Sequence, residues 1–429
     1  MPHSPTLIAQ LFDSFGRLIP DMTDGENGNF FAFADTAAFA YFKIGDLFSP
    51  WMITAGVWAV ILFLFQFEQD LLDPLSDQFF YSLWLWVPIL TASAIITYYV
   101  LPKVADEATA SVSDISFNPT IFIVLFCLSV VFTPVYLYQI LKIVTMFDTT
   151  DLLYNIRIYA VYGNQDFGIL KYLQILNQAL YIVAIWRYPK TPLWQIITLV
   201  ICNILCTLAI MEKGILFNVV FVTLFVLYEK RKIKIRTIAF TGIAIIMTFF
   251  ILNSMRDIQS DDTSESMTFL DFFAIYILSP AVAFGKVTEN LSTQFGSRSF
   301  EFFYAVFSKL GLGHFEVEQK LQEFVWVPLP TNVYTVFQPF YQDFQYKGIA
   351  FFALVYGLIS GYLYRLFRNG STLGRCLYAY LSVLLILQFY QENLILSTSL
   401  FIQLVFFLCL VTQQYFRIKL PNNKHFTSP

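Results

Sequence analysis

Apolar residues run along this chain in long blocks separated by short polar or charged stretches. A helix crosses roughly 30 Å of hydrocarbon with about 20 apolar residues. On that ruler the blocks 29–44, 51–67, 79–101, 119–144, 171–187, 193–211, 215–229, 237–253, 347–364, 376–390 and 397–416 predict membrane spans. The pattern predicts an all-α polytopic membrane protein of about eleven transmembrane helices, within a range of about ten to twelve, and one large extracytoplasmic loop containing short interfacial helices. The block 29–44 carries Asp35, and a carboxylate at mid-membrane costs about 2.5–3.5 kcal/mol on insertion scales, which makes it the weakest span. Residues 5–20 read as an amphipathic surface helix.

Punctuation between the blocks divides the chain. Residues 1–28 form an N-terminal amphipathic segment, 29–253 a membrane region of spans 1 to 8, 254–346 a large outer loop, 347–416 spans 9 to 11, and 417–429 a tail. Within the loop, 268–285 is apolar but interrupted by Ser279-Pro280, which suits an interfacial or re-entrant helix. Loops rich in Lys and Arg stay cytoplasmic. Lys230-Arg231-Lys232-Ile233-Lys234-Ile235-Arg236 gives that signal most strongly. Arg187 and Lys190, then Arg365, Arg368 and Arg375, then Arg417, Lys419 and Lys424 alternate onto the same side. The opposite side receives the acidic stretch 68–78 and the loop 254–346, and is periplasmic in a bacterium.

Composition sharpens this picture. The 429 residues are 57% hydrophobic and 13% charged, against about 25% charged in a soluble domain, so a water-soluble enzyme is excluded. Aromatics reach 19%, more than one globular core buries, yet suited to lipid and headgroup belts. A net charge of -4 offers no basic footprint for nucleic acid. Five cysteines lie in or beside apolar stretches without metal-ligand spacing, and three histidines make no zinc-type cluster, so neither a metal nor another cofactor is expected. Residues 1–28 carry Asp13, Asp21, Asp24 and Glu26 where a secretory signal has a positive start. No Gly-rich phosphate loop, nucleophile elbow or His-Glu-x-x-His is present.

Candidate chemistry lies in the outer loops. Arginine is scarce there, so Arg157, Arg256 and Arg298 stand out, with Lys213 in a turn too short to leave the bilayer surface. A guanidinium fork matches phosphate oxygens, and several cations converging at headgroup depth would suit a lipid pyrophosphate; snorkelling or pairing with a neighbouring acid is the competing reading. Asp343, Glu323 and Glu392 lie beside spans or aromatic runs. Asp343 could take a proton from a sugar hydroxyl or be a helix N-terminal acid favoured by the dipole. Glu392 lies in a short outer turn, where a solvated or capping acid is the reading that competes with a catalytic one. The stretch 324–346 mixes Phe324, Trp326, Tyr334, Phe337, Phe340 and Tyr341 with Asn332, Gln338, Gln342 and Asp343, which suits a glycan platform or an interfacial belt.

The run Glu323-Phe324-Val325-Trp326-Val327-Pro328-Leu329-Pro330-Thr331-Asn332-Val333-Tyr334-Thr335, followed by Phe340-Tyr341-Gln342-Asp343-Phe344 and Gly348, resembles the signature of bacterial Wzy-type O-antigen polymerases. Residues 276–284 and 360–365 add to it, and Arg157 to Gly168 fits the Arg-x10-Gly pattern of an outer loop in that family. Two departures are visible: Gln345 stands where such polymerases often have Gly, and Arg298 is followed by Gly311 at a longer spacing than the second outer pattern.

The resemblance implies a glycosyltransferase of the bacterial inner membrane, multi-pass, that moves a growing glycan from undecaprenyl pyrophosphate onto the non-reducing sugar of another lipid-linked repeat unit. Arg157, Lys213, Arg256 and Arg298 would then hold pyrophosphate. Asp343 or Glu323 would activate the acceptor hydroxyl, and Asn332, Tyr334, Trp326 and Glu392 would hold sugar. Its partners would be the lipid-linked oligosaccharide, membrane lipid, and a chain-length regulator and flippase of the same pathway. An O-antigen ligase, a flippase for the lipid-linked unit and a membrane scaffold are the competing readings; the missing internal repeat counts against a transporter of two related halves.

Overall fold

A computed structural model describes residues 46–67, 71–102, 115–147, 152, 155–156, 159, 168–210, 213–234, 237, 269–289, 292, 294–313, 315 and 322–413. The amphipathic segment 5–20 and the spans expected at 29–44 and 237–253 lie outside these residues, apart from residue 237.

The described chain is mostly helical. Its helices are α1 (Pro50–Phe65), α2 (Asp77–Val100), α3 (Pro119–Val144), α4 (Leu173–Trp186), α5 (Leu193–Ile210), α6 (Lys213–Glu229), α7 (Phe269–Phe284) and α8 (Glu301–Lys309), then α9 (Gln338–Arg368), α10 (Thr372–Ile386) and α11 (Thr398–Thr412). Short 3-10 turns precede α4 at Gly168–Tyr172 and follow α10 at Leu387–Phe389. Local sequence sets several ends. Ser76 accepts from the Phe79 N–H at 3.2 Å, with Asp77 in the first turn of α2. Asn118 accepts from the N–H groups of Thr120 and Ile121 at 3.0 and 3.1 Å, and Pro119 occupies the first position of α3, where no N–H is needed.

Six of the helical segments are long and apolar enough to cross a membrane: Asp77–Val100, Pro119–Val144, Gly168–Trp186, Leu193–Ile210, Gln338–Arg368 and Thr372–Phe389. Shorter apolar helices cover Pro50–Phe65, Gly214–Glu229, Ala274–Phe284 and Thr398–Thr412. The protein is therefore a multi-pass membrane protein, while the figure of about eleven spans is not reached among the described residues.

Three local expectations change. Ser279-Pro280 does not interrupt α7, which runs through with Pro280 inside it; an internal proline kinks a helix without ending it where neighbours re-satisfy the backbone. The helix expected to start at 347 starts at Gln338, and non-helical backbone at Gln345 divides it. The all-α expectation also missed an antiparallel hairpin of β1 (Val325–Val327) and β2 (Leu329–Thr331), in register Val325 to Thr331, Trp326 to Pro330 and Val327 to Leu329. Alternating Val-Trp-Val favours the pleat, and Pro330 fits a two-stranded ribbon because such a ribbon has a free edge.

The chain divides into two compact units. One comprises Met1–Ala105, Val220–Arg365 and Tyr378–Phe401, the other Asp106–Val219, Leu366–Leu377 and Ile402–Pro429. In the second unit α3, α4 and α5 pack on one another around a buried polar node. There Ser129 donates to the side-chain Oδ1 of Asn177, and Asn177 Nδ2 donates to Cys206 Sγ at 3.6 Å. Inter-helix hydrogen bonds of this kind contribute about 0.6–2 kcal/mol each in lipid.

In the first unit α2 and α9 approach closely through glycine. A Cβ on Gly357 would lie 1.7 Å from Ser93 Oγ, and one on Gly361 2.4 Å from the Ala94 carbonyl oxygen. Gly357 and Gly361 make a Gly-x-x-x-Gly pair on one face of α9, which lets two helix backbones meet where lipid provides no hydrophobic drive. Above this contact lies an aromatic core. Trp58 stacks on Phe337 at 5.0 Å, Trp86 on Phe340 at 5.9 Å, and Phe340 on Phe352 at 4.1 Å between ring centroids.

Candidate functional site

The head of α9 is set on this core. Phe337 and Phe340 are fully buried, so the first turns of α9 are anchored from below. The backbone then turns sharply at Gln345 (φ 53, ψ -143). Such a conformation belongs to glycine and costs a side-chain-bearing residue about 1–3 kcal/mol. This is the position where the family resemblance led to an expectation of Gly. Gln345 Nε2 donates to Glu289 at 2.9 Å, which offsets part of that cost. Gly348 follows, and a Cβ there would lie 2.3 Å from the Phe340 carbonyl oxygen, so only glycine fits the crossing.

The turn leaves Asp343 beside the segment 294–300. Asp343 Oδ2 accepts from the Ser299 N–H at 2.6 Å, and Oδ1 from the Arg298 N–H at 3.4 Å. Gly296, at φ 61, lies within this segment; a Cβ there would strike the rings of Phe300 and Phe344. Asp343 thus holds the backbone that carries Arg298. The Arg298 guanidinium donates through Nη1 to Gln322 Oε1 at 2.7 Å. Gln338, buried, donates to the same Gln322 oxygen and to Gln342 Oε1, both at 2.6 Å.

The hairpin closes the assembly. The buried Tyr334 donates its hydroxyl to the Glu323 carbonyl at 2.9 Å and so ties the strand exit to the residue before β1. Burial pushes the Tyr334 phenol up from its usual range, the Glu323 carboxylate adds to the rise, and the Arg298 cation opposes it. The Tyr334 hydroxyl therefore keeps its proton at neutral pH. Glu323 itself is exposed and Asn332 half-exposed. Trp326 projects from the hairpin, 69% exposed, while its carbonyl accepts from Lys286 at 2.8 Å. Lys286 also pairs with Asp73 at 3.1 Å, both of them largely solvated, a contact worth about 0–1 kcal/mol.

Of the residues expected from the sequence, Arg298, Asp343, Glu323 and Tyr334 come together here, with Asn332 and Trp326 on the adjoining hairpin. Arg157 and Arg256 lie outside the described residues, as does the side chain of Lys213. The aromatic run 324–346 divides: Tyr334, Phe337 and Phe340 are buried, whereas Phe324 and Trp326 are exposed. Glu392 is buried rather than solvated. Its carboxylate accepts from the Tyr356 hydroxyl, from the N–H groups of Leu394 and Ile395 at 2.9 and 2.7 Å, and from Leu396 at 2.7 Å. Those three N–H groups belong to the turn that precedes α11.

Gln322 went unnoticed in the sequence. It lies 24 residues from Arg298 and 16 from Gln338, and an isolated Gln carries no spacing signal. Among the described residues no group of three or more His, Cys, Asp or Glu is placed to hold a metal ion.

No family model matches the chain, and no solved structure matches it. A curated protein of Escherichia coli (strain K12), named "Putative O-antigen polymerase", is 25% identical over 399 residues, covering 90% of this chain and 96% of that protein. The chain is thus similar over nearly its whole length to a protein of that name, and its residues 323–348 resemble the Wzy-type signature.

Proposed function

We propose that this protein is a glycosyltransferase that polymerises O-antigen repeat units carried on undecaprenyl pyrophosphate, at the periplasmic face of the bacterial inner membrane. The observation that carries the reading is the meeting of Arg298, Gln322, Glu323, Tyr334, Gln338 and Asp343, from three separate segments, at the head of α9. The likeness to the Escherichia coli protein supports it.

In the reaction the acceptor sugar hydroxyl attacks the anomeric carbon of the donor glycan. The bond from that carbon to the pyrophosphate oxygen breaks, the new glycosidic bond forms, and the hydroxyl proton passes to a carboxylate. Lipid pyrophosphate leaves as an anion, and cations at headgroup depth stabilise the developing charge. Arg298 is one such cation; Arg157, Arg256 and Lys213 are assigned to the same task. Asp343 has two lone pairs committed to the Arg298 and Ser299 backbone, so it orients the arginine. Glu323, exposed beside Tyr334, is the base. Trp326 and Asn332 hold sugar, the indole against its C–H face.

Purified full-length protein in detergent with a synthetic lipid-pyrophosphate repeat unit should give a ladder on a gel. Arg298→Ala should lower kcat by about 10²–10³-fold, as removal of a transition-state donor does. Glu323→Gln should lower kcat by about 10²–10⁴-fold with KM little changed. No ladder from several repeat units, with lipid-linked glycan crossing liposome membranes instead, would overturn the reading in favour of a flippase.

A further inference from the structure

Helix α8 follows the Arg298 segment directly, and among its residues none is buried. At about 100° per residue, Phe303, Phe307 and Leu310 leave the helix on one side. All three are exposed, Leu310 at 67%, and Leu312 just beyond the helix matches it. Ser308 and Lys309 leave it on other sides. A water-soluble surface rarely shows such a ridge without an occupant.

The ridge does not begin at α8. Phe300 lies one turn before Phe303, with ring centroids 6.2 Å apart, and touches Phe344 and Phe352 of α9 at 6.0 and 6.2 Å. Phe352 is itself buried, and its neighbour Phe351 heads an exposed apolar stripe on α9 continued by Leu354, Leu358 and Tyr362. That stripe lies along a helix long and apolar enough to cross the membrane, so it faces lipid. Phe295, 72% exposed, stacks on Phe300 and fills the corner between the two surfaces. The apolar ridge of α8 therefore joins α9 through Phe300 and Phe344, next to the turns of α9 where the lipid-facing stripe begins.

We infer that α8 lies in the phospholipid headgroup layer with Phe303, Phe307 and Leu310 inserted among the acyl chains, and that this seat holds the neighbouring Arg298 at headgroup depth. The backbone of Arg298 is then fixed from two sides, by Asp343 on α9 and by the bilayer under α8. The lipid seat stands apart from the proposed activity, because it rests on the exposed ridge and its continuity with α9 alone.

The test places an environment-sensitive fluorescent amino acid at position 310 or, as a control, at 308, in full-length protein in phosphatidylethanolamine and phosphatidylglycerol nanodiscs. Position 310 should be quenched several-fold more by dibrominated acyl chains than by aqueous iodide, and position 308 the reverse. Both positions are exposed, so the fold should tolerate them. As a second measurement on the unaltered protein, a lipid-tail diazirine should label the peptide spanning 301–312. Iodide quenching at 310 equal to that at 308, with no diazirine label, would show the ridge in water and overturn the inference. Shielding of 310 from both quenchers would overturn it in favour of a covering protein surface.

Discussion

Glu392 gathers four hydrogen-bond donors in the interior, and this makes the loop after α10 a fixed part of the molecule. Burial raises its carboxyl above the ordinary glutamate range, while the Tyr356 hydroxyl and the three N–H groups pull it back. The folded state therefore binds the proton more tightly than the unfolded chain does. The stabilising effect of that proton is complete below the unfolded value of about 4.3 and is lost as pH rises through the raised folded value. Glu392→Gln should flatten this part of the stability-against-pH curve, as read by thermal melting in detergent. Glu392→Ala should cost about 3 kcal/mol or more at any pH, since it leaves several buried donors without an acceptor. That this residue was an acid in an outer turn was legible; that it was buried was not, because burial depends on Tyr356, 36 residues away. Gln345 is the converse case. The departure from glycine was visible in the sequence, and the positive φ shows what it costs.

Elements divide in the same way. Spans made of unbroken apolar blocks were readable to within a few residues: 119–144 was expected and α3 covers Pro119–Val144. Hydropathy worked there because lipid forces every backbone group to be satisfied within its own helix. It failed at the hairpin and at the head of α9, where short segments are held by partners far along the chain. The α2–α9 crossing lay between these extremes. Gly357 and Gly361 are a recognisable pair in an apolar helix, but only the structure says that Ser93 and Ala94 are what they meet. Gly357→Leu should separate these helices and abolish folded protein. Gly357→Ala should weaken them by a few kcal/mol, read as reduced thermal stability and a smaller monodisperse yield in size-exclusion chromatography.

For the whole molecule, orientation follows from charge. The block 230–236 is expected to keep its side cytoplasmic, so a reporter inserted at 232 should be active only as a cytoplasmic fusion and one at 312 only as a periplasmic fusion. The opposite pattern would put Arg298 and Asp343 on the wrong face for periplasmic polymerisation. Composition and block length alone determined that this chain lives in a membrane and has many helices, because transfer of apolar residues to lipid is a sum over local sequence. The motif at 323–348 pointed to the chemistry. Tertiary structure alone decided that Asp343 grips the Arg298 backbone, that Gln322 joins Arg298 to Gln338, and that Glu392 is buried. Such contacts depend on where the fold brings distant segments together, and no local pattern records that distance.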